Sequence, residues 1–406
     1  MANGDFLHGV EIVTIDDGIR PISVASTSVI GLVGTAPNAN EEEFPLNEPV
    51  LVLGNRRKVA ELDTVGDGSG TLPDALNDIL QVVGASVVVI RVEEGADDAA
   101  TMSNVVGGVD AETGKYEGVE ALLAARPTVG VKPRILIAPG FTHQREEDSE
   151  NPGEYLANPA AAALVTVAEK LRSVVIVDGP NSTDAEALDV REDFGSKRVY
   201  LHDPWYQIYD TDVDGPVTRP GSARIAGVIA LNDNQRGWHT SPSNRLVPGI
   251  LGVSREIDFT MGDPNSRANH LNANDIATTI QENGYRLWGN RTTADDAKWA
   301  FLSHVRIADI INDSLLEAHM WAVDRNITKT YLEDVTGGVQ AFINRMVAEG
   351  RIAGGSVWAD PELNTAEDMQ AGRVVFDFDF SPYGVAEHIQ FRSRMVNDYL
   401  EDIVDG

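Results

Sequence analysis

Between Ser86 and Leu201 the chain alternates short, continuously apolar runs with stretches of helical spacing, and few folds accommodate that pattern. The runs are Ser86–Val92, Arg134–Ala138, Val174–Asp178 and Lys197–Leu201; helical spacing occupies the intervals near 118–125, 159–172 and 185–194. A strand with one solvated face alternates apolar and polar residues, whereas a strand apolar throughout is covered on both faces. The sequence therefore predicts a largely parallel sheet with helices on both sides. Upstream, the β-branched run Val10–Ile15 ends at Asp16, Asp17 and Gly18 and reads as a strand closed by a turn. Ser28–Gly34 and Val50–Leu53 read as further strands, and Pro73–Val83 as a helix with proline where a first turn tolerates it.

The pattern changes after about Asn244. A helix is expected near Ala273–Glu282, a short strand at Tyr285–Trp288, and a long helical stretch over Asp295–Ala322. A second helix, Lys329–Glu349, should be interrupted at Gly337 and Gly338. Strands are expected over Arg373–Phe380 and Glu387–Val396. The expected fold is α/β followed by α+β, and 406 residues are enough for more than one core.

Charge and composition exclude several functions. The net charge is −31, with 38 acids against 18 bases in residues 1–240 and 25 against 14 in residues 241–406. Neither part carries the basic block of a nucleic-acid footprint, so direct binding of DNA or RNA is not expected. No apolar stretch is long enough to cross a bilayer. The first five residues, Met1 to Asp5, lack the basic-then-apolar pattern of a secretory leader. The chain has no cysteine, which excludes disulfides, thiolate catalysis and cysteine-ligated zinc.

Three segments invite chemical readings, and each has a simpler one. Gly66-Asp67-Gly68-Ser69-Gly70 could cradle a phosphate ahead of the helix at Pro73, but no clear strand leads into it and no Gly-Lys-Ser/Thr ending follows. Asp210-Thr211-Asp212-Val213-Asp214-Gly215 opens like a calcium loop, yet position twelve is Gly221 rather than a glutamate, and Pro216 follows the turn glycine. Phe376-Asp377-Phe378-Asp379-Phe380 sets two carboxylates close together, which strict alternation explains: aromatics toward a core, acids away from it. The eight histidines are scattered, no Gly-x-Ser-x-Gly elbow occurs, and neither a cofactor nor a metal is expected.

The chain ends are unusual. Termini fray unless something ties them down, yet both ends here are strand-forming. Ile389, Phe391 and Met395 lie among His388, Gln390, Arg392 and Arg394 with the period of a half-buried strand. Such strands, carrying Val10, Ile12 and Ile15 at one end and Ile389, Phe391 and Met395 at the other, either close the subunit's own sheet or pair with a neighbour's sheet edge.

Four collinear segments resemble the contractile tail sheath family of phages and pyocin-like particles. They are Leu7–Ile12 with Gly18–Ile22 and Ser26–Gly34; Ile225–Ala230 with Arg236–Asn244; Asn283–Thr292; and Phe378–Pro382 with Ala386–Phe391. The resemblance implies an outer α/β domain, here residues 28–244, inserted into a tube-proximal domain built from residues 1–27 and 245–406. It implies a helical homo-oligomer of stacked hexameric rings around an inner tail tube protein, capped by baseplate and tail terminator proteins. It also implies assembly in the bacterial host cytoplasm, location in a virion tail or pyocin-like particle, and contraction that drives the tube through an envelope. Type VI sheaths divide the role between two chains, whereas a single chain carries the whole pattern here. Within this frame the segment 329–351 is the candidate tube contact, with Lys329, Arg345 and Arg351 as its basic residues. An α/β enzyme using the Gly66–Gly70 loop, and a non-contracting filament protein, are the alternatives.

Overall fold

The computed structural model describes residues 21–211 and 213–396. Its centre is a nine-stranded sheet. In chain order the strands are β1 (Ile30–Thr35), β2 (Val50–Leu53), β3 (Ser86–Val92), β4 (Ile135–Ile137), β5 (Val174–Asp178), β6 (Val199–His202), β7 (Arg245–Leu246), β8 (Ile276–Gln281) and β9 (Tyr285–Trp288). Across the sheet they run β7-β9-β8-β6-β5-β4-β1-β3-β2. The block from β8 to β3 is parallel, and antiparallel strands close both edges. Residues of the central strands alternate between two cores, as a pleat requires. Ile30, Leu32, Val87, Val89, Ile135 and Ile176 meet helices α1 (Leu72–Val82) and α3 (Ser222–Arg236) on one face. Val33, Val88, Ile90, Leu136, Val175 and Val177 meet α2 (Pro159–Leu171) on the other.

Helix α3 lies close against α1 because Gly227 has no side chain. A Cβ there would come within 2.9 Å of Val82 Cβ and 3.2 Å of Ile79 O. The glycine of the Ile225–Ala230 segment is thus a packing residue.

The second core belongs to the chain's last third. Helices α4 (Leu302–Ala318) and α5 (Lys329–Ala348) pack with a two-stranded sheet of β10 (Gly354–Ala359) and β11 (Phe376–Ser381) around Ile307, Ile310, Ile311, Val339, Phe342, Ile343 and Met346. Ile22 and Trp238 complete this core from distant parts of the sequence. Phe378 and Phe380 face it, while Asp379 accepts bonds from Ser356 N (2.7 Å) and Oγ (2.9 Å), as the alternation requires.

Several expectations need correction. Residues 276–281, expected in a helix, form β8; a helix ends at Ala273, and Ile276, Thr278, Thr279 and Ile280 are β-branched residues suited to a buried strand. Since β8 pairs in parallel with β6, the boundary expected at residue 244 falls inside the sheet, which runs on to Trp288. Helix α5 passes through Gly337 and Gly338 without interruption; Gly338 is buried, and the packed apolar face offsets the low propensity of glycine. Residues 387–396, expected in a strand, are in no ladder, because no strand of this chain lies alongside them among the described residues.

Candidate assembly surfaces

The joint between the two cores is built from charge. On α4, Arg306, Asp309 and Asp313 lie three and four residues apart and so share a face. Arg306 grips Asp233 of α3 (Nη1 to Oδ1, 2.8 Å) and donates to Thr27 O at 3.1 Å. Asp309 is bonded to Arg198, one residue before β6. Asp313 accepts from Lys132 at 2.7 Å, from Arg172 at 3.0 Å and from Arg134, which immediately precedes β4. All these partners precede parallel strands, apart from Asp233, so α4 crosses the amino-terminal edge of the sheet. Burial raises the Asp309 carboxyl above its ordinary pKa, and Arg198 only partly opposes this. Burial pushes Asp313 the same way, but hydrogen bonds from Lys132 and Arg134 prevail and hold it below the usual carboxylate range.

The opposite, carboxyl-terminal edge is where open α/β sheets bind ligands. Here the carboxylates Asp178 and Asp203 and the Nε2 of His202 are bonded within the chain. Asp178 caps α3 by accepting from Ser222 N (2.7 Å) and Oγ (2.5 Å), and burial pushes its pKa up to about 6. His202 Nε2 bonds Thr279 Oγ1 at 3.0 Å, and burial lowers its pKa to about 3. Asp203 accepts from Asn181 N at 2.8 Å and is bonded to Arg255.

The Gly66–Gly70 loop is likewise self-satisfied. Gly66 N and Gly68 N both donate to the Asp63 carboxylate at 2.8 Å, so the anion that this nest cradles is the chain's own. Asp210 and Gly215 lie at the facing ends of antiparallel strands Tyr206–Asp210 and Gly215–Arg219, with Asp210 bonded to Arg219. Among the described residues no cluster of three or more histidines or carboxylates is arranged to hold a metal.

The residues expected between subunits divide into two groups. Val10, Ile12 and Ile15 lie outside the described residues. Ile389, Phe391 and Met395 stand on an extended arm with relative exposures of 66%, 91% and 102%. Among the three basic residues of α5 and its end, Lys329 is exposed and 3.7 Å from Glu333. Arg345 instead donates to Ile22 O, and Arg351 pairs with Glu349 at 2.7 Å over the Trp238 ring. These two arginines fasten the carboxy-terminal core internally.

The β10–β11 hairpin has unequal edges. Gln340 of α5 donates to Gly355 O at 3.3 Å and accepts from Val357 N at 3.2 Å, so its amide stands in for one residue of a strand beside β10. No strand occupies the outer edge of β11 among the described residues.

The described residues thus form a sheet joined to a helical core by buried charge, with an exposed apolar arm carrying Ile389, Phe391 and Met395. Comparison with known proteins gives the class of this subunit. A profile of the phage tail sheath protein central domain matches residues 114–293, and one of the phage tail sheath C-terminal domain matches residues 294–395. A prophage protein of Pseudomonas aeruginosa (strain UCBPP-PA14) named as its major tail sheath protein is 39% identical over 98% of this chain and 99% of its own length. The tail sheath protein of Escherichia phage P2 is 34% identical over 98% of each chain. The helical sheath of the anti-feeding prophage in its contracted state has the same fold, with TM-score 0.68 at 19% identity over 97% of this chain and 100% of that one. The chain belongs to the phage tail sheath protein family, a family of structural proteins and not of enzymes. The profiles also meet at residues 293 and 294, just beyond the sheet's last strand.

Proposed function

We propose that the chain polymerises into a contractile tail sheath by lending its carboxy-terminal arm to a neighbouring subunit. The observation that carries this is the arm itself, which exposes Ile389, Phe391 and Met395 on a backbone with no ladder partner among the described residues. Backbone groups without partners seek a sheet edge, and among the described residues no strand pairs with the outer edge of β11. A contact in which each subunit donates to the next is heterologous and propagates as a helix.

In this reading the sheet unit faces outward and the carboxy-terminal core lies toward an inner tube, with rings of six subunits stacked between a baseplate and a terminator. Residues 10–15 form a second donated strand. The α5 surface around Lys329 touches the tube, with Arg345 and Arg351 holding that helix in place. Assembly takes place in the host cytoplasm, and the product is a virion or pyocin-like tail. Contraction draws on free energy stored in the extended lattice, which requires two packings separated by a barrier. Electron microscopy of the purified chain assembled on its tube tests this. Striated sheaths of two lengths, converting without added nucleotide, are expected; a single length, or conversion only with nucleotide, would overturn it.

A further inference from the structure

Two of the sequence segments that mark the family meet in space at one contact that neither core uses. Asn290, Arg291 and Thr292 follow β9 and lead toward α4; Ala386, Glu387 and His388 lie on the arm. Asn290 and Thr292 turn inward, Asn290 to Ser303 Oγ at 3.1 Å and Thr292 to Trp299 O at 2.9 Å. Arg291 turns outward and meets Glu387 through two parallel bonds, Nε to Oε1 at 2.8 Å and Nη2 to Oε2 at 2.7 Å. A forked pair of this kind fixes direction as well as distance. The guanidinium is itself steadied, over the Phe301 ring at 5.6 Å and 3.6 Å from Asp275. His304 Nε2 bonds Tyr383 O at 3.0 Å, which gives the arm a second attachment four residues upstream. Beyond Glu387 every described residue is exposed.

We infer that the Arg291–Glu387 fork is a clamp that sets the direction in which the arm leaves its subunit, making both positioning residues for assembly. Its place is telling, because Arg291 lies in the short connection between the sheet and α4. Any shift between the two cores is thereby transmitted to the root of the arm. The functional half of this inference rests on the arm being donated; the geometric half does not. Glu387 lies on the exposed arm and packs in neither core, so its half-exposed bond to Arg291 contributes little to folding. Breaking this one should therefore leave the subunit folded and change only where the arm points.

The chain lacks cysteine, so dyes can be attached at Ala185→Cys on the sheet unit and Arg394→Cys on the arm. Single-molecule energy transfer, at dilutions where the subunit stays unassembled, then reads the arm's direction. A narrow distribution is expected for the wild-type clamp, a broad one for Arg291→Glu, Glu387→Arg or Glu387→Gln, and a narrow one again for the double charge swap. Glu387→Gln lies on the exposed arm and cannot disturb a core, which guards against misfolding of the Arg291 variant beside Asp275. Each single variant should also raise the concentration needed for sheath assembly about tenfold, and the swap should restore it. Single variants with a wild-type distribution would overturn the clamp, and so would a swap that fails to restore it. A swap that narrows the distribution without restoring assembly would overturn its role in assembly. Failure of arm donation itself would show separately, as tubes formed by an arm whose apolar face carries a charge.

Discussion

Phe391→Asp should yield a folded, soluble monomer under conditions where the unaltered chain forms tubes. Phe391 is 91% exposed in the subunit and touches neither core, so folding has no use for it. Assembly does. Burying Ile389, Phe391 and Met395 on a neighbour contributes roughly 2 kcal/mol each, about 6 in all. Ordering the segment 387–396 costs at least about 1 kcal/mol per residue, or about 10. Apolar docking alone therefore falls about 4 kcal/mol short. About five ladder hydrogen bonds at about 1 kcal/mol net would offset the difference, which favours strand addition over a loose apolar contact. The aspartate removes about 2 kcal/mol of that burial and adds the cost of placing an unpaired charge there. The expected loss in each contact exceeds a hundredfold. Sedimentation should find monomer with an unchanged melting curve; normal tubes would remove this strand from the lattice.

Asp313→Ala should produce the largest loss of stability. The carboxylate is 3% exposed and is shared by Lys132, Arg134 and Arg172, of which Arg134 is 4% exposed. Removing it leaves buried cations without a counter-charge, at a cost of about 3–5 kcal/mol. On that scale the melting temperature falls on the order of 10 °C. Replacing Arg172, at 38% exposure, should cost far less. Thermal unfolding of the two variants checks both. An Asp313→Ala protein within about 1 kcal/mol of wild type would mean that the Asp313 cluster does not hold the joint.

The parallel sheet was legible because strands covered on both faces are written as unbroken apolar runs. Val87–Ile90 and Val174–Val177 admit few other readings. Strand β8 was not legible in the same way. Ile276–Gln281 follows a helix directly, and its two threonines interrupt the apolar run. Strand β10 begins Gly354-Gly355-Ser356 and exists because β11 pairs with it, a cause that lies outside its own residues. The charged joint was hidden by distance, since Lys132 and Asp313 are 181 residues apart. A local hint existed. Helix α4 is apolar at Leu302, Val305, Ile307, Ile310 and Ile311, which leaves little solvent-facing surface for Arg306, Asp309 and Asp313. The arm's alternation was legible, but among the described residues no strand pairs with it. An alternating pattern gives the demand for a sheet edge and not its address.

Disulfide trapping between arm and hairpin tests arm donation most directly, and the cysteine-free chain leaves no background for it. One subunit population carries Arg392→Cys, on the polar face of the arm; a second carries a cysteine on the matching polar face of the hairpin, at Asp377 on β11 or at Ser356 on β10. Mixed, assembled and mildly oxidised, the Arg392→Cys and Asp377→Cys populations should form a covalent dimer in the sheath. Arg392→Cys with Ser356→Cys should give little, because Gln340 already occupies the free edge of β10. Assembled sheaths in which the arm cysteine links to neither strand of the hairpin would contradict the account.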